Sequence, residues 1–292
     1  MAQALVYYLV VYPLYGLSRL PLGVLYGVAW GLYVLVYHVL GYRRGVVDTN
    51  LRNAFPEKSE AERRAIARRC YRHLANLLLE ALKSLTVSRA QVRQMFTLVG
   101  TEVVEAQFAQ GRSVVLMLGH YGNWEMGANA VALALSRPLY GIYHAIANRR
   151  VDALVNRARS RFGMRLIEMR ETARHFAAHK DQVMATAFIA DQSAPPENSY
   201  WTTFLNQDTP FLQGGEKLAR KYAQAVVYIE ILPLRPGRYE LRFELLSENA
   251  AETAPGELLE RYVRRLEATI RQAPPYWLWT HKRWKHRRPQ AS

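Results

Sequence analysis

The stretch Gly119-His120-Tyr121-Gly122-Asn123-Trp124-Glu125 places an imidazole five positions before a carboxylate, just after the apolar run Val114-Val-Leu-Met-Leu118. On one continuous helix that spacing turns the two side chains about 140° apart. If His120 instead lies in a strand-to-helix turn, Glu125 falls in the first helical turn and folds back toward it. Asn123 is placed to cap that helix, and the helix dipole favours a carboxylate there. Glu125 is then expected to accept a hydrogen bond from one imidazole nitrogen, leaving the other as a general base for a hydroxyl. No Ser or Cys sits in a G-x-S-x-G elbow, so the simplest chemistry is direct attack by the activated hydroxyl, with no covalent enzyme intermediate. The competing reading is a structural histidine satisfied within a glycine-rich turn.

Such a pair needs a scaffold, and the flanking sequence supplies one. Strand-like runs at 113–118, 139–143, 165–168, 182–189, 226–232 and 239–246 alternate with helical stretches at 101–109, 124–135, 149–162, 171–179, 215–222 and 255–272. This alternation predicts an α/β fold with a mostly parallel central sheet flanked by helices. The last two strands, joined around Pro236-Gly237, read as an antiparallel hairpin. In an open parallel sheet, ligands bind beyond the carboxyl ends of strands, where His120 falls. Upstream, Ser59-Glu60-Ala61-Glu62 has capping-box spacing and opens a helix running to about residue 85.

The 292 residues carry 39 Lys+Arg against 24 Asp+Glu, a formal charge of +15, yet the first 42 residues contain a single charged side chain, Arg19. The apolar run 20–42 is long enough to cross the roughly 30 Å hydrocarbon layer. Arg43 and Arg44 follow it and place the remainder on the cytoplasmic side. The expected organisation is an N-terminal membrane anchor at 1–44 and one catalytic domain at 45–292. Within that domain lie a helical lead-in (45–95), an α/β core (96–272) and a basic aromatic tail (273–292). Half the residues are hydrophobic and 22% are charged, which excludes a disordered chain, and the lone Cys70 excludes an internal disulfide. Neither a P-loop nor a dinucleotide fingerprint is present, and the histidines lack metal-ligand spacing. In the tail, Lys282, Arg283, Lys285, Arg287 and Arg288 interleave with Trp277, Trp279 and Trp284, which suits an anionic membrane surface or an acidic carrier protein better than nucleic acid.

Several segments in order resemble the bacterial lipid A biosynthesis (lauroyl/myristoyl) acyltransferase family, part of the lysophospholipid-acyltransferase-like superfamily. They are the hydrophobic start leading into Asn50-Leu-Arg-Asn-Ala-Phe-Pro56, the His120-x4-Glu125 block, Asp191-Gln192 at the end of an apolar strand, and Trp201-Thr-Thr-Phe-Leu205. The most specific is Trp277-Leu-Trp-Thr-His-Lys-Arg-Trp284. The resemblance implies a membrane-bound O-acyltransferase on the cytoplasmic face of a bacterial inner membrane. It would move a fatty acyl chain from an acyl carrier protein thioester to a hydroxyl of a phosphorylated glycolipid, a lipid A precursor, with no cofactor beyond the acyl thioester co-substrate. His120 and Glu125 are then catalytic, and Asn123, Arg157, Arg159, Asp191 and Gln192 contact substrate, with Arg157 and Arg159 in the family's basic segment. Two rivals remain open: acylation of a lysophospholipid or an amino-acid lipid by the same residues, and a non-catalytic basic scaffold on the membrane.

Overall fold

A computed structural model describes residues 2–289. Two apolar helices come first, α1 (Ala2–Arg19) and α2 (Leu22–Tyr33), the latter prolonged by a π-helical turn, Val34–Val39. The lead-in is three helices, α3 (Arg44–Ala54), α4 (Glu60–Lys83) and α5 (Arg89–Met95). Ser59 and Glu62 cap α4 reciprocally: the Ser59 N–H donates to Glu62 at 2.7 Å and the Glu62 N–H donates back to the hydroxyl at 3.3 Å.

The core then alternates as the sequence pattern predicts: β1 (Phe96–Val99), α6 (Glu102–Ala109), β2 (Val114–Leu118), α7 (Trp124–Ala134), β3 (Leu139–Tyr143), α8 (Arg149–Arg159), β4 (Arg165–Glu168), α9 (Thr172–Ala178) and β5 (Ala185–Ile189). A small hairpin, β6 (Tyr200–Phe204) and β7 (Gln207–Phe211), intervenes before α10 (Gly214–Lys221). The long strands β8 (Ala225–Arg235) and β9 (Arg238–Ser247) and the helix α11 (Glu257–Gln272) follow.

The seven-stranded sheet has the order β1-β9-β8-β2-β5-β3-β4. Every neighbouring pair is parallel except β8–β9, the expected hairpin. All residues of β2 are buried, as a central strand covered on both faces requires. Its side chains alternate between two apolar layers. Val115 and Met117 join Tyr228, Tyr262 and Leu266 on one face. Val114, Leu116 and Leu118 join Met126, Ile229 and Ile231 on the other.

Two elements differ from expectation. β1, a segment not among the expected strands, pairs in parallel with β9, and the Phe96 and Tyr239 rings stack across the pair at 5.2 Å. The β6–β7 hairpin turns at Leu205 and Asn206, both at positive φ (51° and 63°), without the Asn-Gly or Asp-Gly pair that usually announces such a turn. Burial fixes this turn instead: Leu205 is fully buried, and the Asn206 side chain donates to the Ala54 carbonyl at 3.1 Å.

The apolar segment Leu22–Val39 is long and apolar enough to cross a membrane. It packs lengthwise on α4, burying Leu25 and Ala29 against Ala75 and Leu79. Near its start, the Leu20 carbonyl accepts from Lys83 Nζ at 3.0 Å, and the preceding Ser18 carbonyl accepts from Thr86 at 2.6 Å. Just beyond its end, Tyr71 donates to the Tyr42 carbonyl and Arg43 donates to the Thr280 carbonyl at 3.0 Å. Val24, Val28, Trp30, Leu35 and Val39 are exposed.

Candidate active site

β2 delivers the chain to Gly119 at the carboxyl edge of the sheet. A Cβ there would sit 2.5 Å from Leu266 and 3.2 Å from an Asp191 oxygen, so only glycine lets Asp191 close on the following residue. Asp191 lies just after β5, the strand paired with β2. Its Oδ1 lies 2.6 Å from His120 Nδ1, and its Oδ2 accepts from the His120 N–H and from the Trp277 indole, both at 2.8 Å. Burial by itself would raise the Asp191 carboxyl, but the His120 imidazole and these donors outweigh it and hold the group below the usual carboxylate range.

The carboxylate fixes the proton on Nδ1 and leaves Nε2 as the basic nitrogen. The His120 side chain keeps 15% exposure against 1% for Asp191, so the imidazole is partly open to solvent while its support is not. Gln192 donates its amide to Nε2 at 3.1 Å, and the Trp124 ring packs edge-on against the imidazole at 5.1 Å.

Glu125 does not hold the imidazole. Both its oxygens take the guanidinium of Arg159, at the end of α8, in a two-point pair at 2.5 and 3.0 Å. The expectation that Glu125 folds back to His120 is therefore replaced: the first turn of α7 aims Glu125 at α8, and the imidazole's carboxylate arrives from a neighbouring strand. Arg157, expected beside Arg159, is exposed and pairs with nothing among the described residues. Asn123, expected among the substrate contacts, is fully buried, with both amide atoms engaged. Its Oδ1 caps α7 by accepting from the Met126 N–H at 2.9 Å, and its Nδ2 donates to Glu80 at 2.6 Å. It shapes the turn from behind. The turn amides are occupied too, since the Tyr121 N–H donates to the Gly119 carbonyl and the Gly122 N–H to the Tyr276 carbonyl at 3.0 Å.

Several supporting residues carry no chemical signature in the sequence and were not expected. His73 of α4 bonds the Gly122 carbonyl at 3.1 Å, so it is the proton donor, and burial pushes its imidazole down to about 4. His281 accepts from the Ser193 N–H at 3.0 Å and pins the loop after Asp191; burial, with Arg283 adding, lowers it to about 4 as well. Arg283, read as part of a basic surface, lies fully buried with its guanidinium 4.5 Å above the Phe211 ring and donates to the Pro210 carbonyl at 2.6 Å. Trp277 and Trp279 are buried as well, so the Trp277–Trp284 motif is a wall of the site. Asn50, in the motif after the apolar start, donates to the Trp279 and His281 carbonyls and ties that wall to α3. A shallow apolar crevice is lined by Leu74, Leu77, Trp124 and Leu278.

A strand-end imidazole held by a buried carboxylate, in a side chain that keeps partial exposure, can take a proton from a hydroxyl. The family described as bacterial lipid A biosynthesis acyltransferase matches residues 1–286. A lipid A biosynthesis lauroyltransferase of Escherichia coli is 24% identical, covering 92% of this chain and 88% of its own. A lipid A biosynthesis palmitoleoyltransferase of the same organism is 23% identical over 94% of this chain and 93% of its own. A lipid A biosynthesis acyltransferase of Haemophilus influenzae is 23% identical over 85% and 77%.

Proposed function

Because this chain belongs to the bacterial lipid A biosynthesis acyltransferase family, and so is an acyltransferase, we propose that it moves a fatty acyl chain from an acyl carrier protein thioester to a hydroxyl of a lipid A precursor. The observation that carries the mechanism is the His120–Asp191 pair, which leaves Nε2 as the basic nitrogen of a side chain that keeps 15% exposure. His120 Nε2 takes the proton of the acceptor hydroxyl as its oxygen attacks the thioester carbonyl. Asp191 stabilises the imidazolium that forms. The tetrahedral intermediate collapses with cleavage of the carbon–sulfur bond, and the imidazolium gives its proton to the departing thiolate. The products are an ester and a thiol, and His120 ends neutral.

The developing oxyanion needs a donor. With the Tyr121 and Gly122 amides engaged, the donor is assigned to the second N–H of the Gln192 carboxamide, whose nitrogen already donates to His120 Nε2 at 3.1 Å. Glu125 acts with Arg159 as one charged unit: it holds the guanidinium at the site mouth, ready to meet an acceptor phosphate.

The protein works on the cytoplasmic face of the inner membrane. Both ends of the α2 segment are tied to the catalytic domain, which supports a helix lying along the membrane surface with its free face in lipid, in place of one that leaves the domain to cross the bilayer. The exposed Arg43 and Arg44 beside it suit anionic headgroups.

The test is acyl transfer by purified protein from acyl carrier protein thioester to a tetra-acylated lipid A precursor, read as added acyl mass. His120→Ala abolishes it; full activity in that variant would sink the mechanism. Preferential acylation of a lysophospholipid or an amino-acid lipid would move the substrate class, and no transfer to any acceptor would leave only a scaffold.

A further inference from the structure

Glu80 has no exposed surface, yet it lies in none of the motifs of the reaction. It sits on α4, and its two oxygens collect four donors from separate parts of the fold. Oε1 accepts from the Tyr26 hydroxyl of α2 at 2.7 Å and from the Gly237 N–H of the β8–β9 turn at 3.2 Å. Oε2 accepts from Asn123 Nδ2 at 2.6 Å and from the Tyr239 hydroxyl of β9 at 2.7 Å.

Burying a carboxylate is unfavourable unless its lone pairs are met, and here each oxygen faces one group that can only donate. Gly237 offers a backbone N–H. Asn123 cannot turn its amide over, because its Oδ1 already accepts from the Met126 N–H. A tyrosine hydroxyl could reverse its role, but these two groups cannot. The acceptor character of Glu80 therefore sets the orientation of Asn123. Asn123 in turn caps α7 between His120 and Glu125, within a turn that α4 also grips through His73.

We propose that Glu80 is a positioning residue for acyl transfer: through Asn123 it holds the turn that carries His120 and Glu125, and through Tyr26 it fixes that turn relative to the apolar helix α2. It touches no substrate and moves no proton. The inference rests on the acyltransferase reading for its kinetic test alone.

Reversing the polarity of the Glu80–Asn123 bond tests it. Asn123→Asp still caps α7 but sets a carboxylate against a carboxylate. The double variant Glu80→Gln/Asn123→Asp restores the bond with the amide now donating and the Gly237 N–H still met by the remaining oxygen. Asn123→Asp is expected to lower kcat by about tenfold or more with KM for the acyl thioester nearly unchanged, and the double variant to recover to within about threefold of the parent.

Hydrogen exchange across residues 119–127 gives a second readout that needs no activity. Protection falls in Asn123→Asp and returns in the double variant. Unchanged kcat and unchanged exchange in Asn123→Asp would overturn the proposal, as would a double variant that regains its melting temperature but neither protection nor kcat. Should the parent protein acylate none of the acceptors offered, the functional reading fails by itself, and the exchange comparison still decides the role of Glu80.

Discussion

Asp191 and His120 divide the labour of a base: one is sealed at 1% side-chain exposure and holds the proton on Nδ1, the other offers Nε2. Asp191→Asn keeps the shape but loses the acceptor that selects this tautomer. By analogy with other imidazole–carboxylate pairs, kcat should fall by about 10³–10⁴-fold in a steady-state transfer assay, with the fold intact by circular dichroism. The two supporting histidines predict a pH dependence of stability. Burial holds His73 and His281 near 4, against 6.5 for an ordinary imidazole. Below 6.5 the unfolded chain gains protons that the folded chain refuses, so their contribution is intact at neutral pH and is lost as pH falls from 6.5 toward 4. Each unit across that window removes up to about 1.4 kcal/mol for His73, and less for the half-buried His281. Urea denaturation at pH 7 and pH 5 should show a larger loss for the parent protein than for His73→Asn. An equal loss in both would refute the assignment. His120 was legible from its neighbours in sequence. Its true partner was legible only as a residue at another strand's end, because a 71-residue separation leaves no local pattern.

At the scale of elements, the pair Glu125–Arg159 fastens the start of α7 to the end of α8, both side chains about a quarter exposed. If the two act as one unit, Glu125→Ala and Arg159→Ala each lower acyl transfer strongly and the double variant falls no further. Additive losses in that double-mutant cycle would show separate roles. The alternation of strands and helices was readable because β2, β5 and the first half of β8 are apolar runs punctuated by turns, the pattern that a covered parallel sheet imposes. The β6–β7 hairpin was not. Its register is set by burial of Phe204, Leu205 and Phe211 against the Trp277–Trp284 wall, a tertiary constraint that leaves no turn dipeptide behind. Arg283 was misplaced for a related reason. A run of basic residues reads as a solvated face, whereas a guanidinium over Phe211 and an indole beneath Asp191 are visible only once the chain has closed.

For the whole molecule, the uncharged start and the +15 total make the charge directional. Apolar α2 and the arginines after it form the side proposed to face lipid, while α4 connects that side to the catalytic turn. This arrangement predicts a topology. In spheroplasts, Leu20→Cys should resist a membrane-impermeant maleimide until the cells are lysed, with Arg235→Cys as the cytoplasmic control and the buried Cys70 silent. Labelling of Leu20→Cys in intact spheroplasts would mean that the helix crosses the bilayer. The position of the Trp277–Trp284 wall also sets an order of events during synthesis. Trp277 supplies the indole on Asp191, pairs as a β-bridge with Tyr121, and lies 86 residues after Asp191 in the chain. On the ribosome, α1 and α2 emerge first, while the carboxylate beside His120 still lacks its lid. The base is therefore completed only once Trp277 has been made and has closed on Asp191, so in a shorter nascent chain the carboxylate that holds His120 is still missing one of its donors.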